Sequence, residues 1–320
     1  MKLIFGSGIV GVMARYILGD DWTIIPFGKS RFYSYNPPLD DNFIIHDRQL
    51  DPLMVDLGLL TTPIWLQRAY SIGGELIRKD PDGSLAKDWL NKIFGSEYPP
   101  HAEAYLSARM GFFVYDQVRI NQLYRILQQR YRQELLREWA LGPVTEIGDH
   151  YIVRNGIKQD YEKAVNTIPL NVLLGLMGMS SRHQLQYKSS HSIHMETSFL
   201  NFEGATQVMV VDPIFDFYKV TILAKNRYLF HLHQEVKNAG AYFMPIIADF
   251  DLIDGTQIPE SLPLGMMPSL GWLEQLDIFP VGAYAQHDWC ADVGSNFLRL
   301  LKYSGRGDKP HGLQLILPTR

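Results

Sequence analysis

Three glycines near the amino terminus stand in the spacing Gly6-Ser7-Gly8-Ile9-Val10-Gly11, between the apolar run Lys2 to Phe5 and a second run from Val12 to Leu18. That spacing suits a dinucleotide. The first glycine permits a tight turn, the second lets the backbone approach a pyrophosphate, and the third allows a helix to pack closely on a strand. The helix then presents its amide-rich, partly positive end to the phosphates. The bland alternative is a glycine-rich packing turn. Folds of this kind usually carry an acidic residue about 20 residues on, where it holds the adenosine ribose. Here Pro26-Phe27-Gly28 stand in that place, so ribose contacts are expected from backbone groups or from Lys29, Ser30 and Arg31.

Histidines are the visible acid–base groups: His191 and His194, His231 and His233, and His287. His194 reads more readily as a structural histidine than as a catalyst. His231 and His233 are two apart, so on a strand both rings share a face, where they could hold a metal with Glu196 or Glu235. No third ligand stands at a diagnostic spacing, so two histidines on a solvated face is the expectation and no metal is assigned. From Gln117 to Trp139 the chain carries Arg119, Arg125, Arg130, Arg132 and Arg137 against Glu134 and Glu138. Arginines at that spacing, with Tyr124 and Tyr131 between them, suit phosphate tracking and base stacking on nucleic acid. They also suit a solvated helix face on which the glutamates offer local pairs.

These groups need elements to hold them. The opening reads as strand, glycine turn, helix, with Trp22 to Ile25 as a second strand. Leu53 to Trp139 reads as helical, an insertion with loops at Asp80 to Gly83 and Tyr98-Pro99-Pro100. A hairpin is expected at Val144 to Ile147 and Tyr151 to Arg154, a strand at Lys163 to Thr167, and a helix from Leu170. Gln207 to Val211, Tyr218 to Leu223 and Tyr242 to Ile247 suggest a mainly antiparallel second sheet. Asp277 to Val281, Gly282 and a helix over Asp292 to Lys302 repeat the opening logic.

With 320 residues and 46% apolar content, the chain can build a large core, and two lobes are expected. A net charge of −4 lacks the global basic signature of a dedicated nucleic-acid binder, although a local patch stays open. The single cysteine, Cys290, excludes an internal disulfide framework and fits an intracellular setting. Glycines and Arg15 interrupt the apolar stretch Leu3 to Leu18, so it reads as folded core, with cytoplasmic location and no membrane partner expected.

Three separate segments resemble the FAD-dependent amine oxidase superfamily, including its protoporphyrinogen oxidase and UDP-galactopyranose mutase branches. They are Ile4 to Gly11, the run Ala164-Val165-Asn166-Thr167-Ile168-Pro169-Leu170, and Val281-Gly282-Ala283-Tyr284-Ala285-Gln286-His287-Asp288-Trp289 continued by Ala291 to Ser295. The resemblance implies an α/β fold: a Rossmann-type FAD-binding domain with an interleaved substrate domain made of an antiparallel sheet and a helical insertion. Residues 1–52, 143–180 and 271–320 would form the FAD-binding part, and 53–142 and 181–270 the substrate part. FAD would be held by Gly6, Ser7, Gly8, Ile9, Val10, Gly11, Thr167, Pro169, Gly282, Asp288, Asp292, Val293 and Ser295. Ala283 stands where the family carries arginine, which removes one polar contact. Amides at the helix start near Asp292 to Ser295 would stabilise negative charge on a reduced ring. His287 would border the cofactor. Val211 to Val220 is similar to a mutase-branch strand, which would bring Tyr218 or Lys219, but by alternation not both, near the flavin.

The activity so implied is oxidation of an amine carbon–nitrogen bond, with His287, His194 and Lys219 as catalytic candidates. The chain also resembles small phage-encoded flavoproteins of thymidine hypermodification, which implies a lyase-like cleavage of an amino-acid adduct on a DNA base brought to the flavin. Arg119, Arg125, Arg130 and Arg132 would then contact DNA. Two alternatives stand beside it: a mutase-like enzyme acting on a sugar nucleotide, for which Arg182 and Arg227 are the ready phosphate ligands, and a non-catalytic FAD-binding protein.

Overall fold

In the computed structural model the described residues are 1–27, 46–58, 62–99, 101–115, 117–179, 185–233, 236–244, 246–247, 249–264, 269–286 and 293–305. The chain opens with β1 (Lys2–Phe5), α1 (Ile9–Leu18) and β2 (Trp22–Ile25). Next come α2 (Asp51–Asp56), β3 (Ile64–Ile72), β4 (Glu75–Ile77), α3 (Ser84–Phe94), α4 (Ala102–Ser107), β5 (Gly111–Val114), α5 (Gln117–Arg130) and α6 (Arg132–Ala140). β6 (Val144–Gly148), β7 (Tyr151–Arg154), β8 (Ile157–Asp160), β9 (Lys163–Asn166) and α7 (Leu170–Leu176) follow. The remainder holds β10 (Gln186–Glu196), β11 (Gln207–Val210), β12 (Phe217–Ala224), β13 (Arg227–Leu232), α8 (Ala239–Phe243), β14 (Asp251–Leu264), α9 (Gly271–Glu274), β15 (Ile278–Pro280), α10 (Ala283–Gln286) and α11 (Val293–Tyr303).

Two sheets organise the molecule. The first is a four-stranded sheet in the order β15-β9-β1-β2, and all its pairs are parallel. Both faces of a parallel sheet must be covered, which explains why β1 is nearly all apolar and buried. One face packs on α1, α5, α6 and α11 through Ile4, Val12, Ile17, Leu127, Leu135 and Phe297. The other carries Leu3, Phe5 and Ile25 against Ile147 and Ile152 of the antiparallel meander β6-β7-β8 and against α7. The expected hairpin is the first half of that meander.

The second, larger sheet runs β14-β10-β13-β12-β11-β3-β4, with β5 added to β3. It is antiparallel from β14 to β11, as expected, but the β11–β3 pair is parallel. One face packs on α8 around Phe230 and Phe243. The other packs on α3 and α4 around Tyr70, Trp89, Ile93 and Tyr218.

Two expectations are corrected here. Leu53 to Trp139 is not wholly helical, because β3, β4 and β5 lie inside it and join the large sheet. In β3, apolar residues at Leu66, Ala69 and Tyr70 fit a helical spacing as well as a strand. What decides for the strand is the Gly73-Gly74 turn, with φ of +58° and +82°, which folds β4 back on β3. The expected strand Tyr242 to Ile247 begins instead inside α8: the Asn238 side chain caps the Ala241 N–H at 3.0 Å, and Phe243 and Ile247, four apart, face one core.

Candidate functional site

The glycine turn follows directly from the geometry at the end of β1. Gly6 has φ of +110° and donates its N–H to the Ile25 carbonyl at 2.9 Å, which ties the turn to β2. A Cβ on Gly6 would strike the Thr167 hydroxyl, and one on Gly11 would strike the Gly6 carbonyl. On Gly8, the N-cap of α1, an added Cβ would meet nothing within 4 Å. The three positions therefore differ: two are closed by protein and the middle one faces open space. No acidic residue stands in the first turn of α1 and no side chain caps it, so its amide end is unopposed by charge. Tyr124 of α5 steadies the turn from outside by donating its hydroxyl to the Ser7 carbonyl at 3.3 Å.

Neighbouring strands bring the other two segments to the same place. Thr167, just past β9, donates both its hydroxyl and its N–H to the Phe5 carbonyl, at 2.7 and 2.8 Å. Asn166 is fully buried and donates to the Ile168 carbonyl at 3.1 Å, and Pro169 is the N-cap of α7. Past β15, Gly282 has φ of +110° and gives its N–H to the Asn296 side-chain oxygen at 2.8 Å. A Cβ there would lie 3.9 Å from the Val10 methyls, so the carboxy-terminal segment passes over the first turn of α1. Val293 and Ser295 open α11, which packs along α1. Lys29, Ser30, Arg31, Arg182, Glu235, His287, Asp288 and Asp292 lie outside the described residues.

The histidines sit on the large sheet. His231 is 4% exposed, with Nδ1 at 3.3 Å from the Ser192 hydroxyl and Nε2 at 3.5 Å from that of Thr221, so the expected solvated face is corrected to a buried one. Its two ring nitrogens face hydroxyls on β10 and β12. His194 is also buried on β10. Lys219 falls opposite His231, next to a bulge between Phe217 and Lys219. Phe217 and Val220, three apart, face the same core, so the bulge removes the alternation on which the choice between Tyr218 and Lys219 rested.

His233 stacks on the Tyr218 ring at 4.8 Å, and neither ring nitrogen has a partner among the described residues. Burial, reinforced by the Lys188 and Lys92 ammonium groups, pushes its pKa down to about 3. Lys92 donates to the carbonyls of Val210, Asp212 and Phe217 at 3.0, 2.6 and 3.0 Å. Burial lowers its pKa to about 8 against the opposing pull of Asp212 and Asp216. Sequence reasoning missed Lys92, one of two lysines on α3, because its three acceptors are backbone atoms. Among the described residues no cluster of His, Cys, Asp and Glu fits a metal ion.

The arginines divide by partner. Arg125, Arg130 and Arg132 are exposed on α5 and α6, with Arg119 also on α5. The Arg130 guanidinium lies 5.1 Å over the Tyr16 ring. Glu134 and Glu138 do not serve mainly as the expected local pairs. Glu134 reaches Arg15 at 3.1 Å and Glu138 reaches Arg154 at 2.9 Å. Arg227 pairs with Glu196 at 3.3 Å. No helix among the described residues is long and apolar enough to cross a membrane.

No family model matches the sequence, and no curated protein matches it. The fold does have solved relatives. A reduced UDP-galactopyranose mutase superposes with a TM-score of 0.65 at 11% identity, over 95% of this chain and 94% of that one. Cyclohexylamine oxidase from Brevibacterium oxydans gives 0.61 at 12%, over 95% and 97%. A putrescine oxidase redesigned in its cofactor binding gives 0.60 at 12%, over 95% and 98%. The chain thus shares, along almost its whole length, the fold of these mutase and amine oxidase structures.

Proposed function

We propose that the chain is an FAD-dependent oxidoreductase of the amine oxidase type, with the cofactor diphosphate against Gly6 to Gly11. The observation that carries this is the open side of Gly8, flanked by two glycines that no Cβ could replace. A diphosphate needs that combination: a tight turn, free amides and no side chain in the way. The parallel sheet with β1-α1-β2 at its edge is then a Rossmann-type domain, formed by residues 1–52, 143–180 and 271–320. Residues 53–142 and 181–270 form the substrate part. Gly282, Val293 and Ser295 would line the flavin end, and Thr167 and Pro169 the middle.

FAD bound there would supply the acceptor for a hydride. What remains for the protein is to orient the substrate, exclude water and hold a proton. The large-sheet face with Ser192, His194, Lys219 and His231 is the proposed substrate side, and His287, whose motif resembles the carboxy-terminal flavin motif, is the further catalytic candidate. The likeness to cyclohexylamine oxidase and putrescine oxidase supports an amine as the class of substrate. A narrower version takes an amino-acid-modified thymine in phage DNA, cleaved as a lyase would, with Arg119, Arg125, Arg130 and Arg132 on the DNA backbone. Its support is the exposure of Arg125, Arg130 and Arg132 along α5 and α6.

The test is spectroscopic. The purified protein should be yellow, should release FAD on denaturation, and should bleach anaerobically with an amine substrate. Free amines, UDP-galactopyranose and amino-acid-modified DNA are compared in parallel. A colourless protein that takes up no FAD overturns the reading. Bleaching by none of the amines, free or DNA-borne, overturns the amine class. For the DNA version, salt-sensitive binding should vanish when Arg125, Arg130 and Arg132 are all changed to Gln.

A further inference from the structure

The three glycines shape the turn, but the direction of its amides depends on how each peptide plane is held. The Phe5–Gly6 plane is fixed at both ends, because the Phe5 carbonyl accepts the Thr167 hydroxyl and N–H, and the Gly6 N–H reaches the Ile25 carbonyl. The Gly6 carbonyl is packed against Gly11, where a Cβ would overlap it. The Gly8 carbonyl accepts the Val12 N–H at 3.0 Å and so belongs to α1. That leaves the Ser7–Gly8 plane. Its carbonyl is held by the Tyr124 hydroxyl at 3.3 Å, a side chain from far along the chain, and its N–H, on Gly8, meets no acceptor among the described residues.

The carbonyl and N–H of one planar trans peptide point in opposite directions. With the Ser7 carbonyl turned to α5, the Gly8 N–H points away from α5, on the residue whose Cβ would meet nothing within 4 Å. The reverse orientation is open to the backbone as well. Flipping this plane would carry Gly8 from its φ of −66° to a positive value, which glycine adopts without steric cost. The flipped plane would present the Ser7 carbonyl oxygen where the amide now stands, and an oxygen there repels a diphosphate instead of binding it.

Tyr124 is suited to bias that choice. The arginine spacing suggests it as a base-stacking ring, yet it is only 7% exposed and packs with Val12, Leu123 and Leu127 in the core that α1 and α5 share. Gln128, one turn further along α5, donates its side-chain N–H to the Tyr124 hydroxyl oxygen at 2.6 Å. With that oxygen accepting from Gln128, the hydroxyl proton is directed to the Ser7 carbonyl. Ring packing sets the reach of the hydroxyl, and Gln128 sets its direction.

We infer that Tyr124, oriented by Gln128, holds the Ser7–Gly8 peptide with its amide toward the cofactor diphosphate, and so raises the affinity of the glycine turn for FAD. The inference rests on the cofactor reading above. Tyr124 and Gln128 are positioning residues, which act through the Ser7 carbonyl. No local signal in the glycine motif announces them, because Tyr124 lies 117 residues beyond Ser7 in the chain.

Titration of FAD into the full chain freed of flavin, followed by flavin fluorescence, tests this without any turnover, at a temperature where urea midpoints show every variant folded. Tyr124→Phe keeps the ring in its core and removes only the hydroxyl. It should bind FAD about tenfold more weakly, the order expected when one amide turns away from a charged acceptor. Gln128→Leu leaves the hydroxyl but removes the donor that directs it; it should weaken FAD in the same direction by about threefold, and it stands in if Tyr124→Phe does not fold. Tyr16→Phe is the control, since it removes a hydroxyl bonded to Asp56 at the far end of α1: its urea midpoint should fall while its FAD affinity stays that of the wild type. If Tyr124→Phe, or Gln128→Leu in its place, behaves like this control, the hydroxyl is merely structural and the inference is wrong while the cofactor site stands. If the wild type takes up no FAD, the cofactor reading itself has failed.

Discussion

At the residue scale, the three glycines of the turn differ in what a side chain would meet. A side chain at Gly8 meets no protein atom, whereas one at Gly11 runs into the Gly6 carbonyl. Gly8→Val should therefore unfold at nearly the wild-type denaturant concentration yet bind no FAD. Gly11→Val should lose about 3 kcal/mol or more of stability through steric overlap in a packed turn. Chemical unfolding and flavin content, measured on both variants, check this; equal loss of stability in the two would defeat the argument. His233 gives a second case. Its pKa is depressed from 6.5 to about 3 in the folded protein. Between those values the unfolded chain takes up a proton that the folded one refuses, so its contribution to stability is intact above about pH 6.5 and is lost as pH falls toward 3. The slope is at most about 1.4 kcal/mol per pH unit. Acidification from pH 7 to 4 should thus destabilise the wild type more than His233→Asn, as read from urea midpoints.

At the element scale, what the sequence made legible was whatever is local. The β1 strand, glycine turn and α1 follow one another within 18 residues, and the hairpin, β9, α7 and α11 each carry their own signals of turn or apolar run. β3 reads as a helix because two of its three partners, β11 and β5, lie far along the chain and its own spacing suits a helix too, and the Gly73-Gly74 turn to β4 is the one local signal for a strand. The candidate site divides in the same way: the glycines announce themselves, but Lys92 acts through backbone carbonyls more than 100 residues further along the chain. α6 shows what such long-range ties are worth. Glu134 satisfies the Ile24 N–H of an edge strand and the Arg15 guanidinium, whose side chain is only 9% exposed. Glu134→Ala should cost on the order of 3 kcal/mol, since it leaves a largely buried cation with a weaker partner set and opens the sheet edge. Glu134→Gln keeps an acceptor for Ile24 and should recover part of the loss. If both variants unfold like the wild type in guanidinium titrations, α6 does not hold the sheet edge in this way.

At the scale of the whole molecule, the parallel sheet and the large sheet are joined by repeated passage of the chain. It leaves the first after β2, returns through α5 and α6 to the meander and β9, leaves again through α7, and returns once more at β15. Tyr124 then links α5 to the glycine turn, and α10 lies against β14 of the large sheet. Neither half is a continuous piece of chain, so separating them would break each in the middle. A ligand that binds only the folded state at a hundredfold its Kd adds about 2.7 kcal/mol to stability. If FAD binds at the glycine turn, and if the interleaving couples the halves, that increment should raise the unfolding temperature of the whole chain in one cooperative step. Differential scanning calorimetry with and without FAD reads both points together. Two transitions, of which FAD moves only one, would mean that the large sheet unfolds independently and that the repeated passage of the chain does not couple the two sheets.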